Sequence, residues 1–121
     1  MPSEPVKRLR LEYTPEFKRS VRVLSRRYRH IRSDLEPIID RLVAGERIGD
    51  RISGMGFAVW KVRVRNSDVA KGKSSGYRLV YFVSPASSVV LVALYSKLDQ
   101  GDVTAQQVRR ILAKCADDQP E

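Results

Sequence analysis

The chain of 121 residues carries one cysteine and one histidine. A lone Cys115 excludes an intramolecular disulfide and any zinc site built on several cysteines. With His30 as the single imidazole, the His/Cys set of a usual transition-metal centre is missing, so no metal and no cofactor is expected. Nucleophilic catalysis of the Ser-His-Asp or Cys-His kind would have to run through His30 or a variant without histidine. Long apolar runs are absent too. A stretch such as Val89 to Tyr95 falls far short of the roughly 20 residues that span a membrane. The start shows no basic segment followed by an apolar stretch and a small-residue cleavage site. The expectation is a soluble, cytoplasmic protein with no membrane partner.

What the chain does have is positive charge. It holds 23 Lys+Arg against 14 Asp+Glu, a formal charge of +9. The surplus is uneven. Residues 1–80 hold 19 Lys/Arg and 9 Asp/Glu, whereas residues 81–121 hold 4 and 5. A basic surface of this size attracts polyanions, with nucleic acid the first candidate. At 42% hydrophobic and 31% charged, the composition is that of a globular domain and not of a disordered tail. One domain over residues 1–121 is expected, with a core from about 7 to 115 and a flexible acidic tail at 116–121.

Hydrophobic periodicity gives the order β-α-α-β-β-β-α. Val6 to Tyr13 alternates as a half-buried strand. Thr14-Pro15-Glu16 combines an N-cap, a first-position proline and a first-turn acid, which predicts a helix to about His30. Ser33 and Glu36 form a capping-box pattern for a second helix ending near Gly45. Strands are expected over Ala58 to Arg65, Tyr77 to Ser84 and Ser88 to Lys97, the latter two joined by a short turn at residues 84–87. Thr104 with Gln107 is another capping box and opens the last helix. The expected fold class is α+β, a small antiparallel sheet with helices packed on one face.

Chemistry concentrates on the other face. In Trp60-Lys61-Val62-Arg63-Val64-Arg65 the cations Lys61, Arg63 and Arg65 alternate with apolar residues. They recur on one side about every 6–7 Å, near the phosphate spacing of an extended nucleic-acid strand. The plainer reading is an ordinary solvated strand face. Lys71 and Lys73 follow in a Gly/Ser-rich loop whose amides and charges suit phosphate, although its spacing is not that of a P-loop. Arg78 shares its face with Val80 and Phe82, so it needs a partner or an open cleft. Tyr95 and Lys97 share a face at the end of the last strand. Seven cations, Lys18, Arg19, Arg22, Arg26, Arg27, Arg29 and Arg32, crowd the first helix and its exit with no acid among them, a surface for an acidic partner. His30 reads as a cap or surface residue and Cys115 as a core residue.

Gly76-Tyr77-Arg78-Leu79-Val80-Tyr81, preceded by Lys61-Val62-Arg63-Val64, resembles the central motif of the RelE toxins in the RelE/ParE superfamily. The glycine-rich stretch from Gly49 to Gly56, Lys71-Gly72-Lys73, and Tyr95-Ser96-Lys97 followed by Asp99 resemble its HigB-like branch. The likeness spans roughly Leu9 to Leu112. It implies a fold like that of small microbial ribonucleases. It also implies a toxin of a type II toxin–antitoxin system, an endoribonuclease that cleaves mRNA on the ribosome without a metal. The implied partners are the ribosome, mRNA and a cognate antitoxin, often of helix-turn-helix type. On this resemblance the catalytic set is Lys61, Arg63, Arg78, Tyr95 and Lys97, with Arg65, Lys71 and Lys73 binding RNA. Lys61 matches the position proposed as general base, Arg63 and Arg78 match phosphate-stabilising positions, and Tyr95 offers a ring to stack a base. Where RelE toxins carry an arginine after the Lys97 position, this chain has Leu98, which leaves Lys97 or Tyr95 as proton donor. Two other readings stand beside this one. One is a ParE-like inhibitor of DNA gyrase, and the other is a degenerate toxin that only binds RNA or antitoxin.

Overall fold

Thr14 begins the first helix as its sequence predicts. In the computed structural model, which describes residues 8–69 and 76–118, its Oγ1 accepts the Phe17 N–H at 3.0 Å and donates to the Val92 carbonyl at 2.7 Å. One buried hydroxyl therefore caps helix α1 (Pro15–Leu24) and ties it to strand β5 (Ser88–Ser96). Gly45, with φ +102°, ends helix α2 (Ile31–Val43) as expected. The Thr104–Gln107 capping box forms in full, with the Thr104 N–H donating to Gln107 Oε1 at 2.8 Å and the Gln107 N–H to Thr104 Oγ1 at 3.2 Å. It opens helix α3 (Ala105–Asp118).

Two helix boundaries differ from expectation. Helix α1 stops at Leu24, not near His30. The Ser25 hydroxyl bonds back to the Arg22 carbonyl, and the Arg26 and Arg27 amides bond three residues back, tightening the chain into a turn. That turn drops Tyr28 and Ile31 into the core. Helix α2 starts at Ile31, so Ser33 is inside it and its hydroxyl donates to the His30 carbonyl instead of capping. The expected capping box is replaced by a distant residue, since Asp68 accepts the His30 N–H at 2.9 Å. Pro37 then sits within the helix and not in its first turn, costing one backbone bond there.

Five strands form one sheet in the order β1-β5-β4-β3-β2. These are β1 (Arg10–Tyr13), β2 (Asp50–Arg51), β3 (Val59–Val64), β4 (Tyr77–Val83) and β5. The β3-β4-β5 meander is antiparallel as expected. The sheet as a whole is mixed, because β1 joins the β5 edge in parallel. No hairpin constrains β1, which is separated from β5 by both helices and three strands. The two-residue β2 was not foreseen. It pairs with β3 through Asp50↔Lys61 and Arg51↔Trp60.

Helices α1 and α2 cover one face of the sheet, over Val62, Val64, Tyr77, Leu79, Tyr81, Val89 and Leu91. The expectation of all helices on one face fails for α3. Its Val108, Ile111 and Leu112 pack on the opposite face with Val59, Val80, Val92 and Ala93. A β-bulge makes this possible. Val80 pairs with Ala93 and Tyr81 with Leu91, so Val92 is the extra residue, and Val92 and Ala93 both join the α3-side cluster. Helix α3 continues past Cys115 through Asp118, and the rest of the expected acidic tail, residues 119–121, lies outside the described residues, as do Val6 and Lys7 of the expected first strand.

Removing the Thr14 hydroxyl loses a cap and leaves the buried Val92 carbonyl short of a donor. Thr14→Ala is expected to cost about 2 kcal/mol in urea unfolding. Thr14→Ser should recover more than half of that, and an alanine variant within about 0.5 kcal/mol of wild type would contradict the double role.

Candidate functional site

Strand β3 divides its side chains by period two. Trp60, Val62 and Val64 turn towards α1 and α2, and Trp60 stacks on its cross-strand partner Tyr81 with ring centroids 5.7 Å apart. Lys61 and Arg63 therefore turn to the α3 side, as does Arg78 of β4. The register sets them in rows: Arg63 is opposite Arg78, Arg78 is opposite Tyr95, and Lys61 is opposite Val80. The sheet brings Lys61, Arg63, Arg78, Tyr95 and Lys97 to one end of one face, and α3 covers the other end.

Two glycines permit the close approach. Gly76 has φ +125°, and a Cβ there would lie 2.9 Å from the Val64 carbonyl oxygen and within 3.8 Å of the Arg63 and Arg78 guanidinium groups. Gly49 has φ +96°, and a Cβ there would overlap the Lys61 carbonyl. Any side chain at Gly49 would push β3 away at the very residue that carries the lysine.

The loop between β5 and α3 supplies a residue that sequence reading missed. Asp102 Oδ1 lies 3.4 Å from Lys61 Nζ, 3.4 Å from Lys97 Nζ, and accepts the Tyr95 hydroxyl at 3.2 Å. One oxygen thus gathers donors from β3, from β5 and from Lys97 just past its end. Asp102 stands 41 residues after Lys61 with no motif around it, so no local signal could have found it. Its own partial desolvation pushes its pKa up, but the Lys61 charge and the hydrogen bonds of Lys97, Tyr95 and Lys61 outweigh this and hold it below the usual aspartate value.

Tyr95 requires a correction. Its ring is 4% exposed and packed among Val59, Val80 and Val108. It cannot offer a face to a nucleic-acid base. Its hydroxyl is the part that reaches the site, donating to Asp102 and accepting the Val103 N–H at 3.3 Å. Burial first, then the Asp102 charge, raise its pKa, so the group is a neutral phenol and a hydrogen-bond donor.

The remaining candidates fall where the backbone puts them. Arg65 stands exposed just past the end of β3. Lys71 and Lys73 lie outside the described residues. Leu98 is half exposed beside Lys97. His30 is exposed at the start of α2 with Nδ1 2.6 Å from Asp68 Oδ1, a surface role as expected. Cys115 is half-buried rather than fully in the core. Of the basic residues along α1 and the turn after it, some are already paired, Arg27 with Asp99 at 2.7 Å and Arg19 with Glu16 at 3.4 Å. Among the described residues no group of three or more His, Cys, Asp or Glu could hold a metal ion, and no helix is long and apolar enough to cross a membrane.

Donors of this kind, set close together, suit an anion. Lysines, guanidinium groups and a phenol converge from adjacent strands, and the sheet prevents them from moving apart. A solved structure of the E. coli toxin RelE, a double arginine-to-alanine mutant in the free state, matches 88% of this chain and 96% of its own with a TM-score of 0.54 and 21% sequence identity. The chain has a RelE-like fold. No protein-family model matches the sequence, and no curated protein matches it. The likeness is therefore one of fold, reached through a strand pattern and not through overall sequence.

The Asp102 carboxyl should titrate with a midpoint below the ordinary 3.8. Because the folded value is lowered, the contacts it makes are complete above that ordinary value and fade as the pH falls through the folded one. Carbon-detected NMR titration should show this, and Lys61→Met should move the midpoint upward. A midpoint unchanged by that substitution would mean that Lys61 and Asp102 do not interact in solution.

Proposed function

We propose that this protein is the toxin of a type II toxin–antitoxin system, a ribosome-dependent endoribonuclease that cleaves mRNA by attack of the 2′-hydroxyl. The observation that carries the reading is the convergence of Lys61, Arg63, Arg78, Lys97 and the Tyr95 hydroxyl at one end of a sheet face on a RelE-like fold.

The chemistry follows from these groups. The 2′-oxygen attacks the adjacent phosphorus, and the 5′-oxygen leaves. Lys61 serves as the general base that accepts the proton of the 2′-hydroxyl. Arg63 and Arg78, opposite one another, hold the non-bridging oxygens as negative charge builds on the phosphorane. Lys97, beside the position where Leu98 replaces an arginine of RelE toxins, gives a proton to the leaving 5′-oxygen. The Tyr95 hydroxyl, held at the site by its buried ring, adds a neutral hydrogen-bond donor beside Lys97. Arg65, Lys71 and Lys73 bind the flanking RNA.

Dependence on the ribosome has a physical reason. In-line attack needs the 2′-oxygen, the phosphorus and the 5′-oxygen aligned, and alignment alone is worth on the order of 7–11 kcal/mol. On this reading the face supplies the charge and leaves the alignment to another scaffold. An mRNA already held by the decoding centre would come pre-aligned. The partners on this reading are the ribosome, mRNA and a cognate antitoxin, in the cytoplasm.

Primer extension on a defined mRNA in a reconstituted translation mixture tests the reading. Cuts should appear with ribosomes, fall by at least about 100-fold without them, and fall by a similar factor in Lys61→Ala. Intact mRNA in every lane, from folded protein, would overturn it. Growth arrest with intact mRNA and a DNA-damage response would point to gyrase instead.

A further inference from the structure

The proposed catalytic groups leave one feature unexplained. Asp102 is an anion in the middle of an anion-binding face. Removing it would increase the positive potential that RNA needs, so a face selected only for RNA affinity would not keep it. Its setting is also unlike that of a structural carboxylate. It is about half exposed, with 52% of its side chain open, and it lies on an irregular loop between β5 and α3. All three of its side-chain partners meet a single oxygen, Oδ1. That arrangement copies how a non-bridging phosphate oxygen would be held by the same lysines and phenol.

We propose that Asp102 is a specificity-determining residue, an internal counter-anion that occupies the phosphate position of the Lys61–Tyr95–Lys97 donors and must be displaced by RNA. This rests on the reading of the face as an RNA site. The energetics favour displacement by the right ligand only. Two half-exposed ion pairs and one neutral hydrogen bond are each weak, so the loop releases Asp102 readily. A loosely held RNA gains little over the carboxylate it replaces. An RNA fixed in register presents several phosphates to Arg63, Arg78 and the lysines at once, and outcompetes it. The carboxylate also screens Lys61 from Lys97 and so relieves like-charge repulsion without RNA. Asp99, on the same loop, is the natural control, because it pairs with Arg27 on another part of the surface at 2.7 Å.

The test is equilibrium binding of a short single-stranded RNA with 2′-O-methyl groups, which cannot be cleaved, across a salt series. Asp102→Asn should bind threefold to tenfold tighter than wild type. Its plot of log affinity against log salt should steepen by about 0.7–1.4, as one or two lysines become available to phosphate. Asp99→Asn, with the same change in net charge, should stay within about twofold of wild type. Asp102→Ala should behave as Asp102→Asn, and thermal unfolding of each variant shows that it is folded. Equal or weaker binding by both Asp102 variants would overturn the proposal. So would an equal gain in Asp99→Asn, which would reduce the effect to net charge. Cleavage on ribosomes is scored separately. Normal cleavage by wild type with no binding gain in Asp102→Asn sinks this inference alone, whereas the gain without any cleavage sinks the ribonuclease reading alone.

Discussion

Arg63 faces Arg78 across the β3–β4 ladder, and the rest of the molecule can be understood as what makes that tolerable. Like charges directly opposite in an antiparallel pair destabilise the sheet. Here they are flanked by two more cations, Lys61 and Lys97. The opposing force comes from the other face of the same strands. Val64, Tyr77, Leu79 and Tyr81 are fully buried under α1 and α2, and Trp60 stacks on Tyr81. A one-residue slip would exchange that apolar face for the cationic one, so burial on one side fixes the register that crowds charge on the other. Asp102 offsets part of that charge at Lys61 and Lys97.

Helix α3 gives the cationic face its boundary. Because the bulge at Val92 turns two successive residues towards α3, the helix packs over Val59, Val80 and Val92, and Arg63 and Arg78 are not part of that cluster. The loop leading into α3 then has to pass beside Lys61 and Lys97, which is how Asp102 arrives. One irregularity in β5 therefore sets both the wall of the site and the anion within it. Tyr95 links the two, with its ring in the apolar cluster and its hydroxyl on Asp102.

Most local signals were legible in the sequence, the Ser33–Glu36 box and the end of α1 excepted, and the distant ones were not. Thr14-Pro15, Gly45 and the Thr104–Gln107 box each act within a few residues, and each appears where expected. The alternation in β3 separated Lys61 and Arg63 from Trp60 and Val62 because a period of two has one meaning in a strand. The parallel pairing of β1, the early start of α2 and the position of Asp102 all depend on partners far along the chain. Asp68 caps a helix that begins 37 residues before it, and only the fold brings them together. Tyr95 shows the remaining gap: its position on the right face was legible, but not that burial hides its ring and leaves only its hydroxyl for chemistry.

The central claim is that this face cleaves RNA through the substrate's own 2′-hydroxyl, with cations and proton-bearing side chains of the sheet as its machinery. An mRNA with a single 2′-deoxyribose on the 5′ side of the scissile phosphate, programmed into ribosomes with the protein, tests it most directly. The account predicts that cutting stops at that phosphate while the all-ribose mRNA is cut there to leave a 2′,3′-cyclic phosphate and a 5′-hydroxyl. Undiminished cutting at the deoxyribose position would contradict it.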